Sequence, residues 1–135
     1  MVAYSFQTRF APLIRAGLKL QTIRADRERH ARPGERLQLF TGMRTAQCLK
    51  IVPDPVCTMV LPITISFATA RIARIDVGQV PVRDLDMFAA LDGFTDQDDM
   101  THFWLERHGA RDFSGVVIEW AMPRERRERQ ERVAA

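Results

Sequence analysis

The chain has 135 residues, 27% of them charged and 46% hydrophobic. That length and balance suit one soluble globular domain with its own core, and they exclude a disordered chain and a disulfide-stapled miniprotein. The net charge of +3 is modest, and the segment Arg124–Arg132, with five arginines and three glutamates, carries two of those charges, so any basic patch elsewhere must be local.

In chain order, Tyr4-Ser5-Phe6 is expected to form a short strand. Phe10, Leu13 and Ile14 fall on one helical face, Pro12 suits a first turn and Gly17 suits the residue that closes a helix. The chain then enters an extended stretch, Gly17-Leu18-Lys19-Leu20-Gln21-Thr22-Ile23-Arg24. Ala25 to Arg36, with Pro33-Gly34, reads as a surface loop. Arg36 to Phe40 alternates as a strand does, Thr41 to Arg44 is a turn, and Thr45 to Ile51 is a second strand candidate in which Cys48 is expected to be a small core residue. Val52 to Thr58, holding Cys57 and two prolines, is expected to be irregular or an edge. Met59 to Phe67 and Thr69 to Val77 read as strands, with Pro62 arguing for an edge or a break. Two helices follow, Asp84 to Leu91 and Thr95 to His108, stopped by Gly93 and Gly109. Ser114 to Ala121 is a last strand, broken by Pro123. The tail offers no apolar face and is expected to be a frayed helix or disordered. The order of elements predicts an α+β fold: a strongly curved sheet or small β-barrel with flanking short helices.

No apolar run reaches the length of a membrane span, and the first residues lack the layout of a signal peptide; a cytoplasmic protein without a membrane partner is expected. Cys48, Cys57, His30, His102 and His108 show no zinc spacing, and no phosphate loop or nucleophile elbow occurs. No metal or cofactor is therefore expected. The acids Asp96, Asp98 and Asp99 read as helix-start residues that complement the dipole, with Thr95 and Asp98 spaced as a variant capping box.

One stretch stands out chemically. Of 20 basic residues only Lys19 and Lys50 are lysines, and a lysine, unlike an arginine, can lose its proton when desolvated. Lys19, Thr22, Arg24, Thr41, Arg44 and Asp98 are candidates for one cationic cleft. A buried Lys19 would have a lowered pKa and could act as a base, Thr22 as a nucleophile and a carboxylate as a proton carrier. Arg9 is a further candidate contact for a polyanion.

Ile14-Arg15-Ala16-Gly17-Leu18-Lys19-Leu20-Gln21-Thr22-Ile23-Arg24 resembles the signature of the ASCH domain family, a helix followed by Gly-x-Lys-x-x-Thr-Ile-Arg. Pro33 to Arg44 is similar to its next strand and turn, Asp92-Gly93-Phe94 with Met100 to Trp104 to its second helical region, and Gly115 to Trp120 to its closing strand. The resemblance covers most of residues 4–122. It implies a PUA-like β-barrel domain over 1–122, with 123–135 a charged tail outside it, and a cleft that binds RNA or a modified nucleoside. One branch of the family removes the acetyl group of acetylcytidine with a Lys, a Thr and a Glu; the resemblance puts these at Lys19, Thr22 and Asp98, the last a shorter acid. Another branch acts as ribonucleases on single-stranded RNA. Three functions are thus expected, in order: binding of RNA or a nucleoside, with Arg24 and Arg44 on phosphate or a base edge; hydrolysis using Lys19, Thr22 and Asp98; and a non-enzymatic protein-interaction module.

Overall fold

The computed structural model describes residues 1–122. The expectation of a frayed or disordered tail over 123–135 lies outside the described residues. The elements are β1 (Val2–Phe6), a 3-10 turn (Thr8–Phe10), α1 (Ala11–Arg15), β2 (Gln21–Ala25), β3 (Leu37–Thr41), β4 (Leu49–Lys50), β5 (Val56–Ala68), β6 (Arg71–Val77), β7 (Val80–Pro81), α2 (Leu85–Leu91), α3 (Gln97–His108) and β8 (Phe113–Ala121). The protein is α+β, with two mostly antiparallel sheets and three short α-helices. None of those helices is long and apolar enough to cross a membrane.

The strands do not close into a barrel among the described residues. They form a three-stranded sheet, β1-β3-β4, and a five-stranded sheet, β2-β8-β5-β6-β7. β1 pairs with β3 in parallel, and every other pairing is antiparallel. The sheets are hooked together at one corner, where Leu37 N–H donates to Pro55 C=O, Cys57 N–H to Glu35 C=O and Gly34 N–H to Cys57 C=O. At the opposite side β1 and β2 are both edge strands. Side chains bridge this seam instead of a backbone ladder: Arg24 Nη2 donates to Ser5 C=O at 2.7 Å and Arg27 Nη2 to Ala3 C=O at 3.4 Å.

β1 and β3 bury alternate residues, as a half-buried strand requires, whereas β8 buries the consecutive Val117 and Ile118. Tyr4, Leu37 and Leu39 come from one sheet, Ile63, Ile65, Ile72, Ile75, Val117 and Ile118 from the other, and all are buried. Met100 and Trp104, four apart on α3, and Phe88 with Ala89 on α2 cover the end of the assembly.

Three local expectations are corrected. Cys48, expected in the core, is exposed, and Cys57, in the segment expected to be irregular or an edge, is buried in β5. Residues 42–48 wrap into a turn, with Thr45 N–H and Thr45 Oγ1 both bonded to Gly42 C=O and Cys48 N–H to Thr45 C=O. β4 thus shrinks to two residues, while the chain after Pro55 enters β5. Pro62 does not break β5, although β5 is flanked by β8 and β6. A strand residue's N–H and C=O point the same way, and Pro62 C=O accepts from Gly78 N–H in the turn after β6. The missing donor therefore faces the end of β6 and costs no bond to β8. Thr69 and Ala70, assigned to a strand, instead form its two-residue hairpin turn with φ of 51° and 55°. Both signs are positive, as the favoured hairpin turn demands, without the usual Gly or Asn to announce it.

Candidate functional site

A cleft of about 220 Å³ opens along the seam between β1 and β2. Ser5, Phe6 and Gln7 line one side, Thr22 to Ala25 the other, and Asp92, Phe94, Phe103, Trp104, Arg107 and His108 close it from the helices. Clefts for drug-sized ligands run to roughly 300–1,000 Å³, so this one suits a single small ring system. Phe6, Phe10, Phe94, Phe103, Trp104 and Phe113 supply aromatic walls.

Lys19 reaches the floor of this cleft because of how α1 ends. Gly17 takes φ 73°, and the N–H groups of Leu18 and Lys19 both donate to Leu13 C=O. This closure uses the left-handed conformation that glycine adopts without a Cβ penalty. It turns the chain so that Lys19 points inward, with 3% of the residue exposed. Its Nζ donates to Asp92 C=O at 2.5 Å and lies 3.5 Å from Asp92 Oδ1. The ammonium also sits 4.9 Å from the centroid of Phe10 and 5.7 Å from that of Phe6.

Asp92 caps the C-terminal end of α2, its N–H bonded to Phe88 C=O and Ala89 C=O. A carboxylate there opposes the helix dipole, whereas a cation is favoured. Lys19 supplies that cation, and Gln21 Nε2 donates to Asp92 Oδ1 at 3.3 Å. Gly93 makes the approach possible. With φ 96°, it leaves open the place where a Cβ would lie 2.8 Å from Lys19 Cδ and 3.0 Å from Phe10 Cδ1.

Burial sets the electrostatics. It pushes the Lys19 pKa down and the Asp92 pKa up, each partly restored by the other's charge. Both groups are thereby drawn toward their neutral forms, which makes the pair a candidate for proton transfer. Arg24 is pushed down to about 10, again chiefly by burial. Thr22 and Arg24 are two apart on β2 and so share a strand face. Arg24 Nε donates to Thr22 Oγ1 at 3.1 Å, which leaves the threonine's own hydrogen free to be given to a base or a ligand.

The structure therefore brings together Lys19, Thr22 and Arg24, three of the residues singled out from the chain. It does not bring in the others. Asp98 is corrected outright as a partner of Lys19: its side chain is 71% exposed and pairs with Arg71 Nη2 at 3.3 Å. Nor is it the helix cap. Asp96 caps α3 by accepting from Asp99 N–H, and Asp99 accepts from Thr95 N–H, both at 2.9 Å. The predicted Thr95–Asp98 capping pair is thus corrected: Asp96 is the cap. Thr41 is buried in β3 and Arg44 is exposed in the following turn with φ 65°; neither lines the cleft. Arg9 lies on a neighbouring surface cavity, held by Asp99 Oδ2 at 2.7 Å. No cluster of three or more His, Cys, Asp or Glu side chains able to hold a metal occurs among the described residues.

Asp92 lines the cleft and was not among the site candidates read from the chain. Its signal was there: an acid placed at a helix end, just before the stopping glycine, against the dipole preference.

No family model, no curated protein and no solved structure matches this chain.

Proposed function

We propose that this chain is a PUA-like domain of the ASCH type and that its cleft binds a nucleoside, free or within RNA. The observation that carries this reading is the buried Lys19–Asp92 pair at the floor of a small aromatic-walled cleft, in the stretch whose sequence resembles the ASCH signature. Aromatic faces stack on bases without regard to sequence, and the polar floor offers both donors and acceptors to a base edge. Arg24 and Thr22 stand beside that floor on β2. The test is a titration of the full chain with cytidine, acetylcytidine, adenosine and short single-stranded RNA, followed through the fluorescence of Trp104, which lines the cleft. Saturable binding that Lys19→Ala or Arg24→Ala abolishes supports the reading; no change with any of these probes overturns it.

A second reading, hydrolysis of an amide on the bound base, is favoured by one specific observation: burial lowers the pKa of Lys19, which is paired with the Asp92 carboxylate in a cleft that Thr22 also lines. In that reaction Thr22 Oγ, or a water, bonds to the acyl carbon. Neutral Lys19 takes the hydroxyl proton, and the carbonyl electron pair moves onto oxygen. When that pair returns, the C–N bond breaks and the departing amine recovers a proton from the Lys19–Asp92 pair. Water then releases an acyl group held on Thr22 as the free acid. Asp92, rather than Asp98, fills the acid's part. Release of acetate from acetylcytidine, lost in Lys19→Ala, Thr22→Ala and Asp92→Ala but kept in Asp98→Ala, is the expected pattern. Binding without product leaves the first reading alone.

A further inference from the structure

The charges lining the cleft do not balance. Lys19, Arg24 and Arg107 are cations, and Asp92 is the single carboxylate among its lining residues. Lys19 already engages Asp92. Arg24 and Arg107 form no ion pair among the described residues. Among the described residues Arg24 is bonded to neutral acceptors, Thr22 Oγ1 and Ser5 C=O. Arg107 lies 5.5 Å over the Phe103 ring and reaches the Gln7 carboxamide, whose oxygen, turned toward it, accepts from Nε at 3.0 Å. Both guanidiniums are therefore positioned without an ion-pair partner among the described residues, and the Arg107 charge adds to the burial that pushes Arg24 down, against a partial offset from Asp92.

Arg107 also borders the neighbouring surface cavity with Arg9, Asp99, His102 and Glu106. There two arginines face two acids, and Asp99 is already taken by Arg9 and Thr95 N–H. Arg107 is common to both cavities and joins them, while Arg24 belongs to the cleft alone. A neutral nucleoside would leave the half-buried Arg24 without a counter-charge beside aromatic walls, where unpaired charge is expensive, and would leave the exposed Arg107 at the mouth unused. A phosphate would meet both, and the arginine fork suits its oxygens.

Resting on the nucleoside reading above, we infer that the ligand of this cleft is a nucleotide unit, as a monophosphate or within RNA, and that Arg107 of α3 anchors its phosphate where the cleft meets the outer cavity. Gln7 and Phe103 hold the guanidinium in place for it.

The test compares acetylcytidine, its 3′- and 5′-monophosphates and inorganic phosphate on the full chain, at about 50 mM salt so that phosphate contacts are not screened away. At least one monophosphate binds tenfold or more tightly than the nucleoside. In Arg107→Gln that advantage falls to within twofold while nucleoside affinity stays within twofold of the wild type. Arg107→Lys, which keeps the charge but not the fork, retains part of it. If the nucleoside binds and neither monophosphate binds more tightly, the inference is overturned and the nucleoside reading stands. An advantage that survives in Arg107→Gln also overturns it. Inorganic phosphate that binds in an Arg107-dependent way, with no binding of any nucleoside, leaves an anion site and removes the nucleoside reading. Silence from all four probes overturns the inference, and silence from cytidine, adenosine and single-stranded RNA as well removes the nucleoside reading with it.

Discussion

The end of α2 and the start of α3 lie only a few residues apart, and each presents aspartate. At the start of α3, Asp96, Asp98 and Asp99 stand where the dipole and the unbonded N–H groups welcome acids, and local chemistry accounts for them. Asp98 needs no more than its exposed contact with Arg71. At the end of α2, Asp92 stands where local chemistry argues against an acid, and it is 4% exposed. Only a partner from a distant part of the chain makes that position tolerable, and Lys19 is that partner. A residue that satisfies local rules carries little information about function. One that violates them points to the tertiary contact that compensates it.

The largest expected break in this contrast is Asp92→Ala. It strands the Lys19 ammonium without its carboxylate and should cost about 3–5 kcal/mol, seen as a large drop in the denaturation midpoint. Gly93→Ala comes next. Its methyl meets Lys19 and Phe10 at a positive φ, so a loss of about 1–3 kcal/mol is expected from overpacking, together with weakened ligand binding. The pH dependence sharpens the picture further. Burial lowers the Lys19 pKa from 10.5, so between that lowered value and 10.5 the unfolded chain holds the proton that the folded chain has lost. Stability should therefore rise with pH across that window, by at most about 1.4 kcal/mol per pH unit, and Lys19→Met should flatten the slope. The smallest effects belong to the α3 start. Asp96→Ala should cost about 1 kcal/mol through the lost cap, and Asp98→Ala should stay within about 0.5 kcal/mol. A cost for Asp98→Ala as large as that for Asp92→Ala would collapse the distinction.

Much of the fold was legible in the chain because its signals are local. Pro12 and Gly17 bound the first helix, Asp84 and Gly93 the second, Gly109 the third, and the alternation in Leu37–Thr41 and Phe113–Ala121 marks strands. The failures share a cause. Cys48 leaves the core because a turn at 42–48 is stabilised by Thr45 rather than by a second glycine. Thr69 and Ala70 adopt a turn that only their flanking strands impose. Pro62 survives inside β5 because β6 happens to end opposite it.

The site divides in the same way. Lys19, Thr22 and Arg24 were recognisable from the chain alone, since a rare lysine and its spacing to a hydroxyl and a guanidinium sit within one short segment. Their union with Asp92 and Arg107 could not be read there. It depends on α2 and α3 packing across the seam that β1 and β2 leave open, and on Gly93 yielding the space of one Cβ to the lysine. Residue types and local spacing determined which groups had the chemistry. Packing between segments some seventy residues apart decided which carboxylate was buried against the lysine, because only burial converts an ordinary acid and base into a coupled pair.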